Sequence, residues 1–181
     1  MDYELKASRV IFTGRVFKLR QDSLRYSDGR QVQLDIVEHN GAVVMLPVDS
    51  EDKIWFIRQY RHAAGREMLE LPAGMLEADE LPLQAAEREI REETGMSAGE
   101  FTHLGGFFLA PGYSTEYLHI YLARQLEPGP LEPDDDEVIT VERIPVVEAY
   151  RMAERGEITD AKSLASLMLA RPWLLGAGSL P

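Results

Sequence analysis

"GMLEADELPLQAAEREIREETGM" runs from Gly74 to Met96, and its second half poses a problem of charge. Proline at a first helical position costs no hydrogen bond and glycine takes up the left-handed cap, so Pro82 and Gly95 bracket a helix. Along it Leu83, Ala86 and Ile90 form an apolar stripe, with Glu89, Glu92 and Glu93 beside it, so the acidic face borders the core. Glu87 with Arg91, and Arg88 with Glu92, stand four apart and offset charge at about a few tenths of a kcal/mol per pair. Glu89 and Glu93 are also four apart on one face, and a like-charge pair there costs about as much as a good pair contributes. Either water and salt absorb that cost or a cation sits between them. Leu81 falls at the N-cap, where Ser, Thr, Asp or Asn would contribute about 1 kcal/mol, so packing and a bound cation are expected to hold the first turn.

On the N-terminal side, residues 3–60 alternate apolar and polar positions between "DG", "NG" and "SED" punctuation, which predicts a run of antiparallel strands. A short strand is expected near Glu67 to Leu71 in a segment that is otherwise loop. On the C-terminal side, "FTHLGGFFLAPGYSTEYLHIYLA" reads as two strands split at "PGYS", followed by the acidic loop "EPGPLEPDDDEV" and a short strand "VITVERI". Two helices close the chain, "PVVEAYRMAERGE" and, after a Thr159 or Asp160 cap, "AKSLASLMLARPW". Strands first, a helix between strands and helices last predict an α/β chain of the α+β layered kind with a mixed β-sheet.

The 181 residues suit one domain, burying roughly 70% of the surface its unfolded chain exposes. A formal net charge of -12 argues against nucleic acid or an anionic membrane surface as the main partner. An acidic protein still binds an anionic substrate where metal ions intervene. With no cysteine, disulfides, thiolate nucleophiles and cysteine zinc sites are excluded, and a cytoplasmic location fits. "MDYELKASRV" does not read as a secretory signal, and "SLASLMLARPWLLGAG" is broken by Arg171 and Pro172 short of a membrane span.

From Gly74 the stretch resembles the Nudix box: G, five residues, E, seven residues, then R E U x E E x G U, with U bulky and apolar. Gly74, Glu80, Arg88, Glu89, Ile90, Glu92, Glu93, Gly95 and Met96 occupy every fixed position. The resemblance implies a Nudix fold, a mixed sheet between helices, with residues 43–181 as the hydrolase domain and 1–42 as an N-terminal antiparallel strand region. Mg²⁺ is a hard cation that takes six oxygens, from carboxylates, waters and phosphates. Glu89 and Glu93 are the expected ligands of Mg²⁺, with Mn²⁺ as the alternative ion, and the resemblance adds the carbonyl of Ala73, with Glu92 nearby. Arg88 is expected to hold the carboxylates in place. Glu80 either supports a metal-bound water or anchors the loop.

Flanking residues bear on the substrate. Pro111 in "LAPGYSTE" is similar to the proline-bearing turn of ADP-ribose pyrophosphatases within the family, whereas Tyr113 also suits the dinucleoside polyphosphate hydrolases. "RQYRHAAG" followed by "ELPAG" resembles the approach to the box in the ADP-ribose group, which makes Arg61 the expected diphosphate ligand, with Arg58 and Glu70 as further pocket residues. The same resemblance implies a homodimer, formed through the N-terminal strands and sharing the adenosine pocket. It also places a glutamate base in the acidic loop, where Glu137 matches, with Glu92 as the rival. Glu116 either contacts the ribose or pairs with a basic neighbour. "GYSTE" lacks the second glycine of a nucleophile elbow, so Ser114 reads as a turn residue. His39, His62, His103 and His119 have no metal-ligand spacing.

The expected reaction is metal-dependent hydrolysis of the diphosphate in ADP-ribose or a related nucleoside diphosphate sugar. GDP-mannose or dinucleoside polyphosphate hydrolysis, and a non-catalytic ADP-ribose sensor, are the alternatives. An acidic structural protein with a solvated glutamate helix is the least specific reading.

Overall fold

A computed structural model describes residues 2–131 and 138–176. The chain folds as two compact units, one running to Gly41 and taking in Phe107–Tyr117, the other running from Ala42 to Gly106 and resuming at Leu118.

In the first unit β1 (Tyr3–Thr13), β2 (Lys18–Tyr26) and β3 (Gln31–Glu38) form an antiparallel meander. The "DG" at Asp28 and Gly29 makes the β2–β3 turn, with Gly29 at φ 89°. An Arg9–Gln21–Asp35 ladder of 2.8 and 2.9 Å crosses the three strands. The "PGYS" turn lies along the end of β3: Val37 donates to the Tyr113 carbonyl and Thr115 donates to that of Val37. Ser114 serves the turn, its Oγ accepting from the Glu116 amide at 3.1 Å.

In the second unit β4 (Ala42–Pro47) departs from the expected antiparallel run. It pairs in parallel with β9 (Tyr117–Pro128) and antiparallel with β7 (Ala73–Met75), and the four-stranded sheet has the order β7-β4-β9-β8, with β8 at Met96–Phe108. The reason is in its composition. "AVVMLP" is apolar at every position and buried throughout, as a central strand covered on both faces must be, so alternation carried no signal there. A second, antiparallel sheet has the order β10-β5-β6, from β5 (Lys53–Arg61), β6 (Arg66–Glu70) and β10 (Ile139–Pro145).

Helix α1 (Pro82–Thr94) packs on β4 and β7, α2 (Val146–Glu154) on β5 and β10, and α3 (Ala161–Leu174) on β4. Under α1, Ala85, Ala86 and Ile90 meet Val43, Met45, Tyr121 and Ala123. Leu83 was expected in this stripe but is 42% exposed. It lies at nearly the same angle as Ile90 but in the first turn, two turns earlier, and Ala85 takes its place on the core side. Truncating a fully buried side chain such as Ile90 would cost about 2–5 kcal/mol, so this contact fixes α1 and the carboxylates it carries.

Candidate active site

The helix ends as its sequence requires: Gly95 has φ 71° and donates to the Arg91 carbonyl at 3.0 Å. At the other end Leu81 cannot accept a hydrogen bond, but half of a capping box survives, since the Leu81 amide donates to Gln84 Oε1 at 3.1 Å. Between these ends three carboxylates converge on one guanidinium. Arg88 Nε and Nη2 fork onto Glu80, each at 3.0 Å, while Nη1 donates to Glu89 at 2.6 Å and to Glu92 at 2.9 Å. Nη2 also reaches the Met75 carbonyl at 3.2 Å. A turn returns Glu80 toward α1: Asp79 adopts φ 63°, which aspartate tolerates, and Glu80 Oε2 accepts the Glu77 amide at 2.9 Å. Glu80 thus ties this turn to Arg88 of α1. The hydrogen bonds that Arg88 donates to Glu80, foremost, and to Glu89 and Glu92 raise its pKa, so the guanidinium stays a cation. In turn Arg88 holds the Glu80 carboxyl below its usual range.

Strand β7 supplies the opposite wall. A Cβ on Gly74 would lie 1.8 Å from the carboxyl carbon of Glu89, so the absence of a side chain at 74 is what lets that carboxylate lie against the backbone. Glu93 is only 5% exposed and its Oε2 accepts the Ala73 amide at 2.7 Å. Glu89 and Glu93, singled out by spacing, and residues 73 and 74, added by the resemblance, therefore lie in one place. Among the described residues, however, no three carboxylate or imidazole groups are arranged to hold a metal ion as they stand, because Arg88 gathers Glu89 and Glu92 while Glu93 turns to Ala73. In chemistry the donor set suits a divalent cation: it is all oxygen, largely carboxylate, and seated against a backbone with no Cβ in the way.

A second cluster lies at the end of β5 and β6. Arg61 Nε and Nη2 fork onto Glu70 at 2.9 and 2.8 Å, and Glu70, 2% exposed, also binds Lys162 Nζ. Burial pushes the Glu70 carboxyl up, yet Arg61 and Lys162 together outweigh it and hold it below the ordinary glutamate value. Glu70 therefore stands behind Arg61 and braces it. Lys162 has a second partner, Asp160 at 2.9 Å. Asp160 caps α3 through the Ser163 amide at 3.0 Å and accepts from the Ser163 hydroxyl at 2.6 Å, and Ser163 Oγ accepts the Leu71 amide at 2.7 Å. Sequence reasoning missed Lys162 and Ser163. A signal was present, since a lysine in the first turn of a helix opposes the helix dipole and needs carboxylates to offset it.

The remaining expected residues lie elsewhere. Arg58 is three positions from Arg61, hence on the other face of β5, and pairs with Glu142 at 2.5 Å. Glu116 belongs to the first unit. Glu137 lies outside the described residues. His39 Nδ1 accepts the Gly41 amide at 3.0 Å, a structural bond. His103 and His119 face each other with ring centroids 6.0 Å apart, and burial, then His103, lower the His119 pKa.

Residues 38–167 match the model of the NUDIX domain. The chain belongs to the Nudix family. Two relatives bear the name ADP-ribose pyrophosphatase. That of Mycobacterium tuberculosis (strain ATCC 25618 / H37Rv) is 39% identical over 170 residues, 92% of this chain and 82% of its own. That of Bacillus subtilis (strain 168) is 36% identical over 159 residues, 87% and 86% of the two chains. A solved structure titled "Crystal structure of ADP compounds hydrolase" superposes with a TM-score of 0.87 at 26% identity, covering 99% of this chain and 98% of the other. The fold is thus the Nudix fold, and the chain is a Nudix hydrolase, from a family that works with a divalent metal ion. Among the described residues no helix is long and apolar enough to cross a membrane.

Proposed function

We propose that this enzyme hydrolyses the diphosphate linkage of ADP-ribose or a related nucleoside diphosphate sugar, giving a nucleoside monophosphate, AMP for ADP-ribose, and a sugar phosphate. The observation that carries this reading is the convergence of Glu80, Glu89 and Glu92 on Arg88 beside the buried Glu93. The names of two relatives that cover most of the chain support the choice of substrate. Mg²⁺ is the proposed ion, with Mn²⁺ as the substitute. Glu89, Glu92, Glu93 and the Ala73 carbonyl would hold it, and Arg88 sets the carboxylates for that task. What a bound divalent cation supplies is neutralisation of the diphosphate oxygens and a more acidic water.

Arg61 offers the planar donor fork that phosphate oxygens accept. The attacking water bonds to phosphorus through its oxygen and gives its proton to Glu137, and the bridging P–O bond breaks with its electron pair on the departing phosphate. Glu92 is the rival base, but its carboxylate already accepts from Arg88, which favours Glu137. Within this proposal residues 43–181 act as the hydrolase domain of a cytoplasmic homodimer. Residues 1–42 supply the dimer contact and the shared adenosine pocket. In support, β1 exposes Tyr3, Leu5, Val10, Ile11 and Phe12, each about half accessible.

The test is turnover of ADP-ribose, GDP-mannose, a diadenosine polyphosphate and NADH, with and without Mg²⁺, with the products identified. ADP-ribose is expected to give AMP only when the metal is present. Glu93→Gln keeps an oxygen for the Ala73 amide and so should stay folded while kcat falls by about 10³-fold, an estimate from the loss of a metal-bound charge in the transition state. No turnover of any of the four substrates would defeat the enzyme reading, and a fully active Glu93→Gln would remove the metal assignment.

A further inference from the structure

The second cluster holds a residue with no role in the mechanism above. Lys162 and Arg61 both serve the one buried carboxylate of Glu70, from opposite ends of the sequence. Their joint presence is expensive unless each has a task, since a lysine in the first turn of α3 opposes the helix dipole and is itself only 14% exposed. If the cluster only had to neutralise Glu70, the forked Arg61 would suffice.

Lys162 gives Glu70 a second cationic donor, and Asp160 balances that charge, so the four groups are neutral together and what Lys162 contributes is the placement of Glu70. Asp160 answers Lys162 in turn, and does so as the α3 cap, where a carboxylate is favoured. Geometry points the same way. A guanidinium that spends Nε and Nη2 on a carboxylate presents Nη1 on the far edge of its plane, and the Arg61 side chain is 39% exposed. The chain of bonds also closes on itself: Glu70 to Lys162, Lys162 to Asp160, Asp160 to Ser163, and Ser163 to the amide of Leu71, next to Glu70. Lys162 cannot shift without moving the carboxylate that sets the direction of Arg61.

We infer that Lys162 is a positioning residue for diphosphate recognition: by sharing Glu70 it keeps Arg61 correctly aimed at the anionic substrate. This rests on Arg61 being the diphosphate ligand. It concerns binding, so its effect falls on KM and substrate affinity and leaves kcat nearly unchanged.

The experiment compares Lys162→Met and Lys162→Arg, each in the wild-type and Arg61→Ala backgrounds. The readouts are ADP-ribose affinity by calorimetry without metal, and kcat and KM with Mg²⁺. Lys162→Met is expected to raise Kd and KM by about tenfold with kcat within about threefold, the pattern of lost uniform binding. Lys162→Arg should recover most of the affinity. In the Arg61→Ala background Lys162→Met should add less than about twofold, because the two residues then have nothing left to couple through. Should Lys162→Met not fold, Lys162→Gln removes the same charge while keeping a donor for Glu70. Unchanged Kd and KM in a folded, charge-removed variant would overturn the inference, as would an equal loss in both backgrounds. The two failures are separable: an Arg61→Ala variant that binds as tightly as wild type defeats the diphosphate assignment, whereas an impaired Arg61→Ala beside an unimpaired Lys162 variant defeats the positioning role alone.

Discussion

The two arginine clusters are built on opposite plans. Arg88 gathers its carboxylates from one and four residues along the same helix and from eight residues upstream. Every member of that cluster is partly open, with side-chain exposure between 12% and 25%. Arg61 leans on a carboxylate that is 2% exposed, and that carboxylate is held by a lysine 92 residues away in sequence. Charges that remain near solvent hold one another cheaply, and their arrangement is free to serve a ligand. A buried carboxylate has given up its hydration, so its partners are a condition of folding. Disturbing the first cluster should therefore cost activity with little loss of stability, whereas disturbing the second should cost stability as well as substrate affinity.

The sharpest test of that contrast is Gly74→Ala. Its Cβ would collide with the end of the Glu89 side chain, a flexible group that swings away at little cost. Stability should change by less than about 1 kcal/mol, as for most substitutions outside a packed core. Activity should fall by about 10²-fold, the scale of loss when a catalytic group is misplaced by about 1 Å. Paired melting curves and kcat/KM measurements decide it. A fall in Tm with activity retained would mean that the Glu89 pose belongs to the fold and not to the chemistry.

Glu70→Gln probes the other side of the contrast. It leaves Arg61 and Lys162 together without their carboxylate, and should cost roughly 2–3 kcal/mol at neutral pH, at the lower end for a broken buried pair because Arg61 is partly solvated. For a chain of this size that is a fall in Tm of roughly 5–10 °C. The pH dependence gives an independent check. The folded-state pKa of Glu70 lies below the ordinary value of 4.5, so its stabilisation is fully present above that value and is lost as the pH falls through the lower, folded one. Wild type should therefore lose stability below about pH 4.5 more steeply than Glu70→Gln. Parallel slopes would show that Glu70 contributes no linkage.

The same contrast explains what was legible in the sequence. Arg88, Glu89, Glu92 and Glu93 sit on one helix, and helical periodicity alone places them together; pair counting by itself singles out Glu89 and Glu93. The bounds of α1 followed from Pro82 and Gly95. The parallel pairing of β4 did not follow, because a strand apolar on both faces carries no alternation. The link from Glu70 to Lys162 did not follow either, since it depends on where α3 packs, and "TDAKS" signalled only a cap. Leu83 shows the limit from the other side: periodicity gives its angle correctly, yet in the first turn of α1 it stays 42% exposed.

The smallest expected effect concerns how the first cluster is held. Leu81 is 63% exposed and lies between Glu80, which forks onto Arg88, and the helix that carries Glu89 and Glu92. Gln84 already accepts the Leu81 amide, so Leu81→Ser supplies the missing half of the capping box while giving up almost no burial. The gain should be about 0.5–1 kcal/mol, a rise in Tm of roughly 1–4 °C. If the cluster is fixed by its own ion pairs, kcat and KM will not change when the helix start is tightened, since Glu80 is already anchored through Arg88 and the Glu77 amide. If activity rises with Tm, fraying of the first turn was loosening Glu80, and the carboxylates around Arg88 depend on the helix end as much as on one another.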